Sequence, residues 1–260
     1  MLKNVKLILI LIICIIGCKH YEIRNVSPSG VELKRSYRIA LMGFYPFKGS
    51  SSSTRNGRMI TTTRVAELDY DKPNKGLLKI GKPVEDFIEP GFKTNIDQTK
   101  IKSFVDNYLE QTKRSGVPEI TKLIVSKETK PNETTLQMRN HNADLIVVGF
   151  HGPAFRERDK EKTSILRVIY TGFLFSLTAG FYPGYLGNEV SLSTFHIYDK
   201  NLNLLKKYEI KDSTPIYVGI LENENVIRFG NEITPELITY YPQIAEFENF
   251  LLEFLNEKKL

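Results

Sequence analysis

An uncharged run of eleven residues, Leu7 to Gly17, follows Lys3 and Lys6 at the start of the chain, and its length decides what the first segment can be. As a helix it reaches about 16 Å at ~1.5 Å per residue, roughly half of a hydrocarbon core of ~30 Å. It is too short to span a bilayer. A basic start, a short apolar run and a small residue before the cut are what a signal peptidase recognises. Residues 1–17 are therefore expected to be a leader, and the folded part of the chain to lie beyond them, exported.

The run ends in Ile15-Ile16-Gly17-Cys18. A branched aliphatic three residues before a cysteine, with Gly directly before it, resembles the lipobox of bacterial lipoproteins. The resemblance implies cleavage between Gly17 and Cys18, a diacylglyceryl thioether on Cys18, and a fatty acyl group such as palmitate on the new N-terminus. Each buried methylene contributes ~0.8 kcal/mol, so one chain binds marginally while two or three hold a protein permanently. The implied partner is the membrane itself. Lys19 stands where an inner-membrane retention signal would place Asp, which points to the cell outer membrane.

Composition bounds the remainder. With 41% hydrophobic and 25% charged residues, the 260-residue chain reads as a folded domain able to bury its own core. Its two cysteines are Cys14 and Cys18; the first leaves with the leader and the second carries lipid. The mature domain then has no thiol for a disulfide, a metal thiolate or a nucleophile. The formal charge of +6 includes Lys3 and Lys6, so the mature excess is mild. Its basic residues alternate with acids, as in Arg156-Glu157-Arg158-Asp159-Lys160-Glu161-Lys162, so no nucleic-acid partner is expected.

Lys19 to Arg35 is polar and aperiodic, with a Ser27-Pro28-Ser29-Gly30 turn, and residues 18–35 are expected to be a flexible tether. Residues 36–260 are expected to form a single α+β domain, with a mixed or mostly antiparallel sheet and helices packed on one face. Tyr37 to Phe47 suits a buried strand. Met59 to Tyr70 suits a second, joined to the first by a hairpin with Ser50 to Ser53 at its tip and Asn56-Gly57 as the turn signal. Between Lys72 and Lys93, Pro and Gly predict a loop with one helical turn. Ile101, Phe104, Val105, Tyr108 and Leu109 recur at helical spacing after a cap at Thr94 or Asn95, and Gly116 and Pro118 stop that helix. A weaker helical stretch runs through Ile120, Leu123 and Ile124, and a polar turn at 129–135 comes after it. Ala143 to Phe150 reads as a central strand, and residues 156–162 as a charged loop. Glu189 to Asp199 and Leu204 to Lys211 flank a five-residue turn, with a further strand at Ile216 to Leu221. The last helix starts at Thr234-Pro235 and is expected to kink or restart at Pro242.

Residues 168–188 contain no formal charge and many aromatics. Leu166, Ile169, Tyr170, Phe173, Leu174 and Leu177 fall at helical spacing, and Gly180, Pro183, Gly184 and Gly187 break the remainder of the stretch. A buried helix and a turn is the preferred reading, because glycines and a proline make a poor spanning helix. A membrane-inserting segment, whose length the stretch just reaches, is the second reading, and an interfacial patch or partner groove lies between the two. Phe173, Phe175, Phe181, Tyr182 and Tyr185 are its candidate contact residues.

The chemistry-bearing motifs are sparse. His20, His141, His151 and His196 show no i, i+3 or i+4 spacing for a shared metal face, and Asp69-Tyr70-Asp71 lacks the glycine and distal glutamate of a calcium loop. No metal site and no cofactor is expected. G-x-S-x-G and the phosphate-binding glycine motifs do not occur. Gly149-Phe150-His151-Gly152-Pro153, read as a loop at the carboxyl end of a central strand, is where an α/β sheet would place a site if the chain were a hydrolase-like enzyme.

The order strand, long helix, buried strand and hairpin resembles the layout of small α/β domains of bacterial envelope lipoproteins, among them the curli-secretion and penicillin-binding-protein-activator lipoproteins and the N-terminal domain of the Tol-Pal translocation protein. Gly43-Phe44-Tyr45-Pro46, Val148-Gly149-Phe150-His151-Gly152-Pro153 and Tyr198-Asp199-Lys200-Asn201 resemble segments of uncharacterised spirochaete putative lipoproteins. These resemblances imply a lipid-anchored envelope protein and assign no catalytic residue. The expected function is non-enzymatic: an accessory or surface-exposed binder of an envelope or extracellular protein. An envelope enzyme at 149–153 and a membrane-interacting lipoprotein using 168–188 are the alternatives.

Overall fold

A computed structural model describes residues 18–22, 24–27, 30–56, 59–71, 78–130, 133–219, 226–228 and 235–257. In chain order the strands are β1 (Cys18–Glu22), β2 (Ile39–Gly43), β3 (Phe47–Asn56), β4 (Met59–Leu68), β5 (Lys82–Pro83), β6 (Ile88–Phe92), β7 (Ile124–Lys130), β8 (Glu133–His141), β9 (Leu145–Arg158), β10 (Gly184–Asp199), β11 (Leu204–Gly219) and β12 (Val226–Arg228). The helices are α1 (Gln98–Gln111), α2 (Val117–Leu123), α3 (Ile165–Leu177) and α4 (Pro235–Glu257), with one 3-10 turn at Val84–Phe87. The class is α+β with mixed sheet pairing, as the sequence predicts. Contacts divide the chain into two units. The first takes described residues within 18–26, 156–191 and 211–242, and the second those within 27–155, 192–210 and 243–260. The strands β9, β10 and β11 contribute residues to both.

The second unit is built on the parallel pair β2 and β9, in the register Ala40↔Ile146 and Met42↔Val148. Alternate residues of a strand face opposite ways, so these four share one face, where they pack with Ile101, Phe104 and Tyr108 of α1 and Ile120 and Leu123 of α2. Leu41, Val147 and Phe195 face the other way, and there Phe195 stacks on Phe247 of α4 at 4.0 Å between ring centroids. Helices therefore cover both faces of this sheet, where the sequence suggested one. The reason is that β2 and β9 are apolar on both faces and need two covers. Gly43 (φ +75°) lies so near β9 that a Cβ there would overlap the Gly149 carbonyl oxygen, which reserves the position for glycine.

Several expectations shift by a few residues for local reasons. The cap of α1 is Asp97, whose carboxylate accepts the Thr99 N–H at 2.9 Å, rather than Thr94 or Asn95. Residues 133–141 and 124–130 pair as a hairpin, and α4 is one helix through Pro242. The expected strand at 216–221 is, over its described part, the end of β11.

The first unit joins α3 to the start of β10 and holds β1 between β11 and β12. The β1–β11 register is Cys18↔Gly219 through Tyr21↔Ile216, antiparallel, and β12 pairs along the opposite edge through His20↔Arg228. The expected tether is thus a strand over residues 18–22. Further along, Ser27 and Glu32 carbonyls accept Asn249 and Asn256 side-chain N–H groups at 3.0 and 2.9 Å, and the Lys34 N–H donates to the Asn256 Oδ1 at 3.0 Å. Polar, aperiodic sequence conceals this because β1 is held through its backbone by a strand on each side and requires no apolar pattern. Among the described residues no helix is long and apolar enough to cross a membrane.

Candidate functional site

The segment Gly149 to Pro153 is not a loop at a strand end but the middle of the 14-residue strand β9. A continuous apolar run marks where a strand is buried and leaves its end unmarked, so the glycines read as a stop that the backbone does not make. His151 is 2% exposed and sits edge-on to Phe44 and Phe195, at 6.1 and 6.2 Å between ring centroids. Its Nδ1 lies 2.7 Å from the Ser193 Oγ, and that hydroxyl donates to the Gln243 Oε1; Ser193 and Gln243 are both fully buried. Burial pushes the His151 pKa down to about 3, so the ring is neutral at physiological pH. This chain of polar groups pins α4 to the sheet, enclosed by aromatic rings.

His141 and His196 are buried as well. His141 Nε2 is 3.0 Å from the Lys93 Nζ, which also donates to the Lys200 carbonyl at 2.8 Å; burial, then the lysine charge, lowers its pKa to about 4. His196 packs on Phe150 and Tyr198 and is likewise lowered to about 4, first by burial. His20 lies in β1. Among the described residues no group of three His, Cys, Asp or Glu side chains could hold a metal ion. Sequence reading missed Glu119, which is fully buried and accepts the Tyr108 hydroxyl, joining α2 to α1. Desolvation, then the carboxylate, pushes that phenol well above its ordinary pKa.

Two surfaces remain that the described fold leaves open. The first is the outer face of α3. Ser164 caps this helix through its Oγ and the Arg167 N–H. Thr171 turns inward, buried, and accepts the Tyr185 N–H at 2.9 Å. Ile165, Leu166, Ile169, Tyr170, Phe173 and Leu177 are 61–80% exposed. At ~100° per residue they span an arc of about 140° on one side. The expected buried helix is therefore only partly enclosed, with Val168, Thr171, Leu174 and Phe175 on its less exposed side and the six large apolar side chains outward. Phe181 and Tyr182 continue the exposed patch, whereas Phe175 is half-buried against Gly184. Tyr185 leaves the contact set: it is 2% exposed, and its hydroxyl donates to Asn188. The one charge in α3, Arg167, is held back over the Tyr185 ring at 4.5 Å and donates to the Tyr217 hydroxyl at 2.5 Å.

The second surface is the ribbon of β3 and β4, ten paired positions from Phe47↔Leu68 to Asn56↔Met59. Its base is fastened by the Asp69 N–H to the Pro46 carbonyl at 2.8 Å, the Leu68 N–H to the Ser115 Oγ at 3.0 Å and the Tyr70 hydroxyl to the Ser115 carbonyl at 2.7 Å. Beyond that base it is exposed on both faces from Lys48 to Asn56 and from Ile60 to Val65. The serines lie along the arm opposite Thr62, Thr63, Arg64 and Val65, not at the tip; Ser53 and Thr62 share a hydrogen bond of 3.0 Å across it. Neither outer edge pairs with another described strand.

The chain matches no family model, no curated protein and no solved structure.

Proposed function

We propose that this chain is a lipid-anchored cell-envelope protein that works by contact rather than catalysis, held through Cys18 in the outer membrane and engaging an envelope or extracellular protein. The observation that carries the reading is the ribbon of β3 and β4. An isolated two-stranded ribbon is at best marginally stable in water, and its outer edges are templates for an added strand. A Ser- and Thr-rich arm with both edges open suits a partner that docks an extended segment, where main-chain bonds supply affinity and alternate side chains supply selectivity. The leader supports the membrane half of the reading, since Ile15, Gly17 and Cys18 resemble a lipobox. The polar groups at His151 stand inside packed aromatics and lend the enzyme alternative no support.

The test has two arms. Metabolic labelling with a fatty acid should mark the native chain and not the Cys18→Ser variant; label retained on that variant refutes the anchor. Photo-crosslinking residues placed at Ser52 and Thr61 in living cells should give the same discrete adduct, absent from a placement at Lys102 on α1. Identical adducts from all three positions would refute the ribbon as the contact.

A further inference from the structure

The apolar arc of α3 and the lipid-bearing cysteine belong to the same unit, and their spacing is fixed by strand pairing. Cys18 is itself the first paired residue of β1, opposite Gly219. Gly219 lies against the turn that closes α3: a Cβ on it would meet Pro183 at 3.4 Å and the Gly180 carbonyl oxygen at 3.7 Å. Neighbouring strands are ~4.8 Å apart, so the acylated residue stands about one strand from the end of α3. No spacer separates the acyl chains from the folded unit. Anything within about one strand spacing of Cys18 is then brought to the headgroup layer whenever the acyl chains are inserted.

What is brought there is suited to it. Six large apolar side chains of α3, followed by Phe181 and Tyr182, expose on the order of 1000 Å² at ~200 Å² each, against ~300–600 Å² for the largest patch of a typical monomer. Tyr170 and Tyr182 supply the amphipathic rings that favour a membrane interface. From Val168 to Asn188 there is no charge to desolvate, and Arg167, just before, is folded back over Tyr185. Four glycines and a proline within this stretch prevent a spanning helix, which leaves a helix lying in the plane of the interface.

We infer that the outer face of α3, with Phe181 and Tyr182, is a membrane-seating surface that docks on the lipid bilayer beside the acyl chains of Cys18 and so fixes the orientation of the first unit. This rests on the lipidated-anchor reading. The acyl chains supply retention, and α3 supplies the orientation that a lipid on a free tether would lack.

The chain has no tryptophan, so a single one reports its own surroundings. The Phe173→Trp protein, produced as the full precursor, is extracted from membranes and reconstituted in phosphatidylethanolamine and phosphatidylglycerol vesicles, with and without dibrominated acyl chains. A seat ~5–10 Å deep predicts a blue-shifted emission and loss of about half the intensity to the brominated lipid. Leu177→Trp, one turn on, should behave alike, and Val65→Trp on the ribbon should be unaffected. Mass spectrometry of the same samples reads the acyl groups on Cys18. Acyl mass with unquenched Trp at 173 and 177 overturns the seating while leaving the anchor intact. Absence of acyl mass overturns the anchor and the placement built on it. A blue-shifted but unquenched Trp, with crosslinked dimers, also overturns the seating, because a second copy then covers the face.

Discussion

Helices α1 and α3 differ by one residue in length, and each carries an apolar stripe at intervals of three and four. In α1 the stripe is enclosed, with Ile101, Phe104 and Tyr108 at most 4% exposed. In α3 Ile169, Phe173 and Leu177 are at least 61% exposed. Periodicity therefore states which side of a helix avoids water and leaves open what covers it. The informative difference is on the opposite side. The outward side of α1 is charged, with Lys100, Lys102, Asp106 and Glu110, whereas the inward side of α3 has Thr171, which accepts the Tyr185 N–H, and Phe175, which lies against Gly184 at the start of β10. A helix held to the protein along one narrow side keeps its broad apolar arc for another surface.

The sharpest way to break this contrast is truncation. Phe104→Ala should destabilise the protein by about 3–5 kcal/mol in urea melts, because it removes a buried ring and leaves a cavity. Acid should separate the regions next. His141, His151 and His196, all in the second unit, stay neutral in the native state below the unfolded pKa of ~6.5. The unfolded chain then binds more protons, so stability is fully present above pH ~6.5 and falls as pH drops toward about 4, and toward about 3 for His151. For the enclosed His151 the slope is up to about 1.4 kcal/mol per pH unit, and His151→Asn should flatten urea stability against pH by that amount. A profile unchanged by this variant would contradict the neutral buried ring.

Smaller effects sharpen the comparison further. Ser164→Ala should cost about 1 kcal/mol by removing the cap of α3, which shows that the helix forms in the free protein. The combined Ile169→Ser, Phe173→Ser and Leu177→Ser change should alter stability within about 0.5 kcal/mol per site while abolishing vesicle quenching. A loss comparable to Phe104→Ala would mean that this face is core after all.

Much of the second unit was legible in the sequence because its elements obey local rules: the stripe of α1, the apolar run of β9, and the Asp199 to Asn203 turn, where the Asp199 carboxylate accepts the Asn201 and Asn203 N–H groups at 2.8 and 2.9 Å. What failed was set by partners distant in sequence. The pairing of Cys18–Glu22 depends on β11, some two hundred residues away, and the enclosure of His151 depends on Phe44 and Phe195. The candidate surface at 168–188 was visible as an uncharged aromatic stretch, but its outward direction depends on which side of α3 fits β10. Phe173, Phe181 and Tyr182 are exposed there and Phe175 is half-buried, while Tyr185 is enclosed, its hydroxyl bonded to Asn188.

The proposed attachment to the membrane through Cys18 is the property on which the contact surface and the seating of α3 both rest. Intact mass of the protein isolated from its own cells should give a chain that begins at Cys18 and carries diacylglyceryl and fatty acyl groups there. A chain that begins at Met1 with an unmodified Cys18 would contradict it.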